Sequence, residues 1–141
     1  MTGILSEAEL AYMASQRLGR LATVRPDGAP QNNPVAYSWN PEAGTVDIGG
    51  WKLAASHKFK NLAGNQRVSL VIDDLASLDP WTVRGIEIRG RAEALTGQPT
   101  PQPWMSSELI RIHPERITSW GIESDSPGMR GRRVAASPPT D

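Results

Sequence analysis

The stretch WKLAASHKFKNL, residues 51–62, gathers Lys52, Lys58 and Lys60 around His57. No Asp or Glu occurs from Ile48 to Ile72. A segment so free of acids suits an anion. Gly49 and Gly50, just ahead of it, let the backbone turn sharply. Ser56 stands where a helix N-cap belongs, and the next amides, near His57 and Lys58, point out of the helix start. Free amides, the helix dipole, the Ser56 hydroxyl and the flanking charges of Lys52 and Lys58 together make a phosphate cradle. The competing reading is a solvated amphipathic helix whose lysines face water. Composition alone leaves both open.

Other chemistries find little support. The chain has no cysteine, which excludes disulfides, thiolate metal sites and cysteine nucleophiles. His57 and His113 cannot form a three-histidine zinc site, and no HExxH occurs. There is no GxSxG elbow, no Walker A loop and no GxGxxG. Asp73-Asp74 read as a solvated turn at a strand end rather than paired catalytic carboxylates, and His113 as a strand-end residue rather than a base. Fifteen basic residues balance fifteen acidic ones in 141 residues. That balance speaks against nucleic-acid and membrane partners, which select a basic surplus. Apolar runs fall far short of the roughly 20 residues that span a bilayer. The N-terminus lacks a signal-peptide pattern, so a soluble, cytoplasmic chain is expected.

The elements that must position the basic segment are mostly strands. Ser6 to Arg17 reads as a helix with a Ser6–Glu9 capping box and an apolar stripe through Leu10, Met13, Ala14 and Leu18. GRLATVR is a first strand, closed by a turn at Pro26–Gly28. PVAYSW and TVDIGG are the second and third, and the three read as a meander of adjacent antiparallel strands. The basic segment follows, helical from about Ser56 to Ala63, with Phe59, Leu62 and Ala63 on one face. RVSLVID is a fourth strand. Trp81–Leu95 is one long strand, Ile86, Ile88, Ala92 and Ala94 on one side, with Gly85 and Gly90 marking bends or bulges. Three prolines make 97–103 a loop, and ELIRIHP and RITSWG supply the last strand or strands. From about Ser124 the chain turns Ser/Pro/Gly-rich and is expected to be irregular. The expected fold is mainly β, a β-barrel of about six antiparallel strands with few helices, over residues 1–123, followed by an irregular basic tail at 124–141.

In order and spacing, RLATVRPDGAPQNNPVAYSW, VDIGGWKLAASHKFKNLAGNQRVSLVI and RGIEIRGRAEAL resemble the pyridoxamine 5′-phosphate oxidase-like family. They look most like its branch that uses coenzyme F420, a deazaflavin, and so does the closing IRIHPERITSWGI. The resemblance implies a split β-barrel of the FMN-binding kind, paired into a homodimer with the cofactor in a groove between subunits. It implies that Lys52, Ser56, His57 and Lys58 hold the cofactor phosphate, with Asn61 a further candidate. Asn32, Asn33, Pro34 and Val35 would lie along the ring edge, partly through backbone groups, and Trp51 would flank the ring or the ribityl chain. Members that oxidise pyridoxamine phosphate carry a basic residue at each end of the second strand and a closing Arg-Leu-x-Pro. NNPVAYSWN and SPGMRGRRVAASPPTD have neither. The expected activity is therefore an F420H2-dependent reduction of an unsaturated or quinone-like small molecule; the alternatives are an FMN-binding flavin reductase or oxidase of the same fold and a non-catalytic F420 carrier. Heme or single-stranded nucleic acid on the Val35, Tyr37, Trp39 face is a further alternative. Tyr37 and His57 are candidate proton donors, and Trp81 and Trp104 candidate groove walls. Arg130, Arg132 and Arg133 either serve the anionic tail of F420 or belong to a basic terminus without a role.

Overall fold

The computed structural model describes residues 3–123 and 128–135. Helix α1 (Glu7–Ser15) starts as its capping box requires: the Glu9 amide donates to Ser6 Oγ at 3.1 Å and the Ser6 amide to Glu9 Oε1 at 2.9 Å. It stops two residues before the expected Arg17, because Gln16 is already extended at φ −106°, ψ 156° on the way into β1. Met13 and Tyr12 are buried, while Ala14 and Leu18 face out. Tyr12 takes their place in the stripe because its hydroxyl finds Asp74 at 2.8 Å.

Strands β1 (Gly19–Val24) and β2 (Pro30–Val35) form a hairpin over the expected turn. Its tip needs Gly28 at φ 86°, and Asp27 accepts from the Ala29 amide at 3.0 Å. The expected second strand, PVAYSW, is in fact cut in two. β2 ends at Val35, and a separate β3 (Ser38–Asn40) pairs with β4 (Thr45–Ile48). Tyr37 fixes the break: its hydroxyl donates to the Met13 carbonyl at 2.7 Å, tying 36–37 to the end of α1. The meander is thereby corrected. With β5 (Arg67–Leu78), β6 (Trp81–Leu95), β7 (Leu109–Trp120) and β8 (Met129–Arg133), the order is β2-β1-β5-β6-β7-β4-β3, and β8 lies on β7. The fold is mainly β, with eight strands among the described residues where about six were expected. β2 and β3 end the path and do not pair with each other.

Alternation decides which side of each strand is dry. Leu21, Ile48, Leu70, Ile72, Ile86, Ile88, Ile110, Ile112 and Ile117 point inward and are completely buried. Each stabilises the fold by about 1.5–3 kcal/mol through burial. Asp73 and Asp74 sit inside β5, not at a turn. Asp74 takes a bidentate bond from Arg84, at 3.0 and 2.7 Å, which holds its carboxyl below the usual carboxylate range. His113 likewise lies mid-strand, its Nε2 on Glu93.

The tail expectation is corrected at Met129–Arg133, which pairs with β7 from Trp120 to Arg116. Arg132 anchors it, donating to the Ile4 carbonyl at 2.8 Å and to both oxygens of Glu9. Tail residues 124–127 and 136–141 lie outside the described residues.

Candidate functional site

The basic segment forms a 3-10 turn at Leu53–Ala55 followed by α2 (His57–Asn61). Ser56 is the N-cap, as its type predicts. Its hydroxyl accepts from the Phe59 amide at 3.4 Å and donates to the Leu53 carbonyl at 2.6 Å. The Ser56 proton is thus committed to shaping the turn. Among the described residues the amides of His57 and Lys58 have no intrachain acceptor. They are the free donors at the start of α2.

Lys52 stands in the left-handed region, at φ 49° and ψ 46°. A non-glycine residue held there costs on the order of 1 kcal/mol or more, and such outliers cluster at functional sites. Its ammonium lies 4.7 Å from the centroid of the Trp51 ring. Trp51 itself is 68% exposed. Chain 97–108 braces this corner. Ser106 Oγ accepts from the Leu53 amide at 3.0 Å and donates to the Gly50 carbonyl at 3.1 Å, while the Ser106 amide reaches the same carbonyl at 3.0 Å. Exposed Trp104 rides on the same braced loop. Nothing local in the sequence marks Ser106 as a clamp, because its partners are more than fifty residues away.

Asn61 turns inward and is 5% exposed. Its side-chain nitrogen donates to Thr23 Oγ1 at 2.9 Å and to Gln31 Oε1 at 3.1 Å, and Gln31 Nε2 continues to Asn33 Oδ1 at 3.1 Å. This polar chain ties α2 to β1 and to the edge strand β2. It brings the two separated groups of expected site residues, 32–35 and 51–61, onto one frame. Asn32 and Pro34 face out from the edge, and Val35 faces the core, so only its backbone is available along that edge. Replacing Asn61 by alanine leaves Thr23 and Gln31 short of a partner and is expected to cost about 1–3 kcal/mol in a urea titration. A cost under about 0.5 kcal/mol would mean that the amide is not a tie.

Tyr37 is removed as a proton donor. Burial pushes its hydroxyl up to about 12, and the proton is already given to the Met13 carbonyl. Among the described residues no group of three or more His, Asp or Glu is placed to hold a metal ion. Among them no helix is long and apolar enough to cross a membrane.

The sequence model described as pyridoxamine 5′-phosphate oxidase matches residues 5–137. The chain belongs to that family. A relative within reach of direct alignment is the 5a,11a-dehydrotetracycline/5a,11a-dehydrooxytetracycline reductase of Streptomyces rimosus, 44% identical over 133 residues, covering 93% of this chain and 94% of that protein. Solved structures agree on the family fold. A conserved hypothetical protein of Mycobacterium tuberculosis superposes with a TM-score of 0.65 at 27% identity, over 89% of this chain and 91% of that one. A heme binding protein of Mycobacterium smegmatis gives 0.66 at 20% identity, over 92% of this chain and 59% of that one, a likeness of fold alone. The polar tie to β2 and the Ser106 brace fix residues 51–61 of this chain to the sheet and to the 97–108 loop.

Proposed function

We propose that this protein is a reductase that uses reduced coenzyme F420 to reduce an unsaturated, quinone-like small molecule. One observation carries the reductase reading: 44% identity, across nearly the full length of both chains, to a dehydrotetracycline reductase. The 51–58 segment supports a phosphate-bearing cofactor. It offers two free amides, two lysines and no carboxylate between Ile48 and Ile72. F420 rather than FMN is favoured by the sequence resemblance and by a β2 without any basic residue.

Bound there, the deazaflavin would supply the hydride. The chain's own share is to hold and orient. Lys58 and the His57 and Lys58 amides take the phosphate, and Lys52 adds charge while steadying Trp51 as a platform. The Asn61–Gln31–Asn33 tie holds β2 at a fixed distance from that platform. No residue is required as a strong acid, which fits a site whose tyrosine proton is already committed.

The full site is built by two copies. The far end of the β5–β6 hairpin exposes Leu75 opposite Val83 and Leu78 opposite Trp81, with Met129 also exposed on β8. A patch of this kind wants a partner surface, and a second copy is the partner the groove needs, within the cytoplasm. Fluorescence titration of the purified chain with F420 and with FMN tests the reading. Lys58→Ala is expected to weaken F420 binding by about tenfold or more, the worth of a charge-assisted hydrogen bond. Preference for FMN would replace F420 by the flavin. Binding of neither would return the lysines of α2 to a solvated face.

A further inference from the structure

We infer that the outer face of β5–β8 carries a second anion site, for a compact molecule bearing two or more phosphate or carboxylate groups. It does not rest on the reductase reading, and its lining contains no residue of 51–61. The carrying observation is a register. Arg67 lies opposite Arg91, Arg91 opposite His113, Arg89 opposite Arg116, and Arg116 opposite Arg133. Directly opposed residues share a face, and like charges there destabilise a sheet. Elsewhere this chain does the reverse. Asp74 faces Arg84 and Asp47 faces Arg111, both as bonded pairs. Four strands therefore bring guanidinium groups together where the same sheet knows how to alternate sign.

These groups line a groove of about 1000 Å³. Within the described residues only Arg89, on Glu87 at 2.9 Å, and His113, on Glu93, have a carboxylate partner. Arg67, Arg91, Arg116 and Arg133 have none, and Glu115 is the one acid in the lining. Gly131 makes room for the arrangement. A Cβ there would stand 2.6 Å from Arg116 Nη2, so the missing side chain lets that guanidinium lie across β8. Planar forks at fixed positions match phosphate or carboxylate bidentately. The size is bounded too. Glu115 lines the groove and Glu87 and Glu93 are bonded to its Arg89 and His113, so these carboxylates would repel an extended polyanion. No Phe, Tyr or Trp is among its lining residues to stack bases, which disfavours single-stranded nucleic acid.

Inorganic tripolyphosphate is the probe, in calorimetric titration at low salt. The wild-type chain is expected to bind it saturably. Gly131→Ala, which keeps every charge, displaces the flexible end of Arg116 and presses on Thr118 Oγ1 at 3.2 Å, and Arg116→Gln are each expected to weaken binding at least tenfold. Arg25→Gln, at the β1–β2 turn away from the groove, is expected to leave binding unchanged. Ligand-free Arg116→Gln is expected to unfold no earlier than wild type, because one opposed charge is gone. Absence of saturable binding, or binding equal in wild type and Gly131→Ala, would overturn the site. So would a changed oligomeric state in Arg116→Gln without loss of binding, which would make this face a contact between copies. Lys58 is intact in all these variants, so F420 or FMN titrations report separately on the α2 segment.

Discussion

Arg132→Ala is expected to lower folding stability by about 3 kcal/mol, the cost of leaving a buried charge unpaired. The Glu9 side chain is 1% exposed and accepts three hydrogen bonds at once. Its Oε1 accepts from the Ser6 amide to complete the capping box, and both oxygens accept from Arg132. The Arg132 side chain is 40% exposed, so water softens the loss and the low end of the range applies. Removing it also leaves the Ile4 carbonyl without its donor. Glu9→Gln in the same chain keeps a residue that can cap and removes the orphaned charge. The double variant is therefore expected to recover at least half the loss in urea unfolding. Two independent, additive losses would mean that the pair is not coupled.

The pH dependence follows in sign. Burial alone pushes the Glu9 carboxyl up, but the Arg132 bonds and charge and the Ser6 amide outweigh it and hold it below its ordinary value. A depressed carboxyl contributes stability above its unfolded pKa and loses it as pH falls through the folded one. In Arg132→Ala burial is opposed only by the Ser6 amide and the Ser119 side chain, so that contribution shrinks or reverses. The gap between variant and wild type should widen as pH rises through roughly 3 to 6. A gap flat across that window would place the loss in packing rather than charge.

Local rules were readable wherever the partner lies nearby in sequence. The Ser6–Glu9 box, the Pro26–Gly28 turn, the Ser56 cap and the whole span of β6 each follow from a few adjacent residues. What escaped reading was non-local. PVAYSW alternates well as one strand. Its break at 36–37 is imposed by a hydroxyl reaching α1, twenty-four residues earlier. Asp73-Asp74 look like a turn until Arg84 on the next strand is known to face Asp74. β8 is Gly- and Arg-rich, with no apolar alternation. It forms because β7 offers it an edge and Glu9 offers Arg132 a buried acceptor. The basic segment itself was legible from charge and capping. Its fixings to Thr23, Gln31 and Ser106 were not, since each is a single polar residue whose meaning exists only in the fold.

Gly90→Ala is expected to be the most damaging of the glycine changes, at about 3 kcal/mol or more. The pairing of β6 with β7 slips between Arg89 and Gly90, so that Gly90 meets Pro114 and Arg91 meets His113. At this bulge a Cβ on Gly90 would overlap the His113 carbonyl and stand 3.2 Å from the Pro114 Cα. These are backbone atoms of a central strand, buried between neighbours, and they cannot swing aside as a side-chain tip can. Relief requires moving β7 away from β6 in the middle of the sheet, where Ile88, Ala92, Ile112 and Ile117 are completely buried. Gly64→Ala is the matched control, because nothing lies within 4 Å of a Cβ there. It is expected to be neutral or slightly stabilising through the unfolded chain. Thermal unfolding of the two variants side by side measures the difference. Equal midpoints would show that the sheet absorbs the extra carbon by sliding its register. In that case the order of charges on the outer face, Arg89 with Arg116 and Arg91 with His113, would shift as well, and tripolyphosphate affinity would change with it.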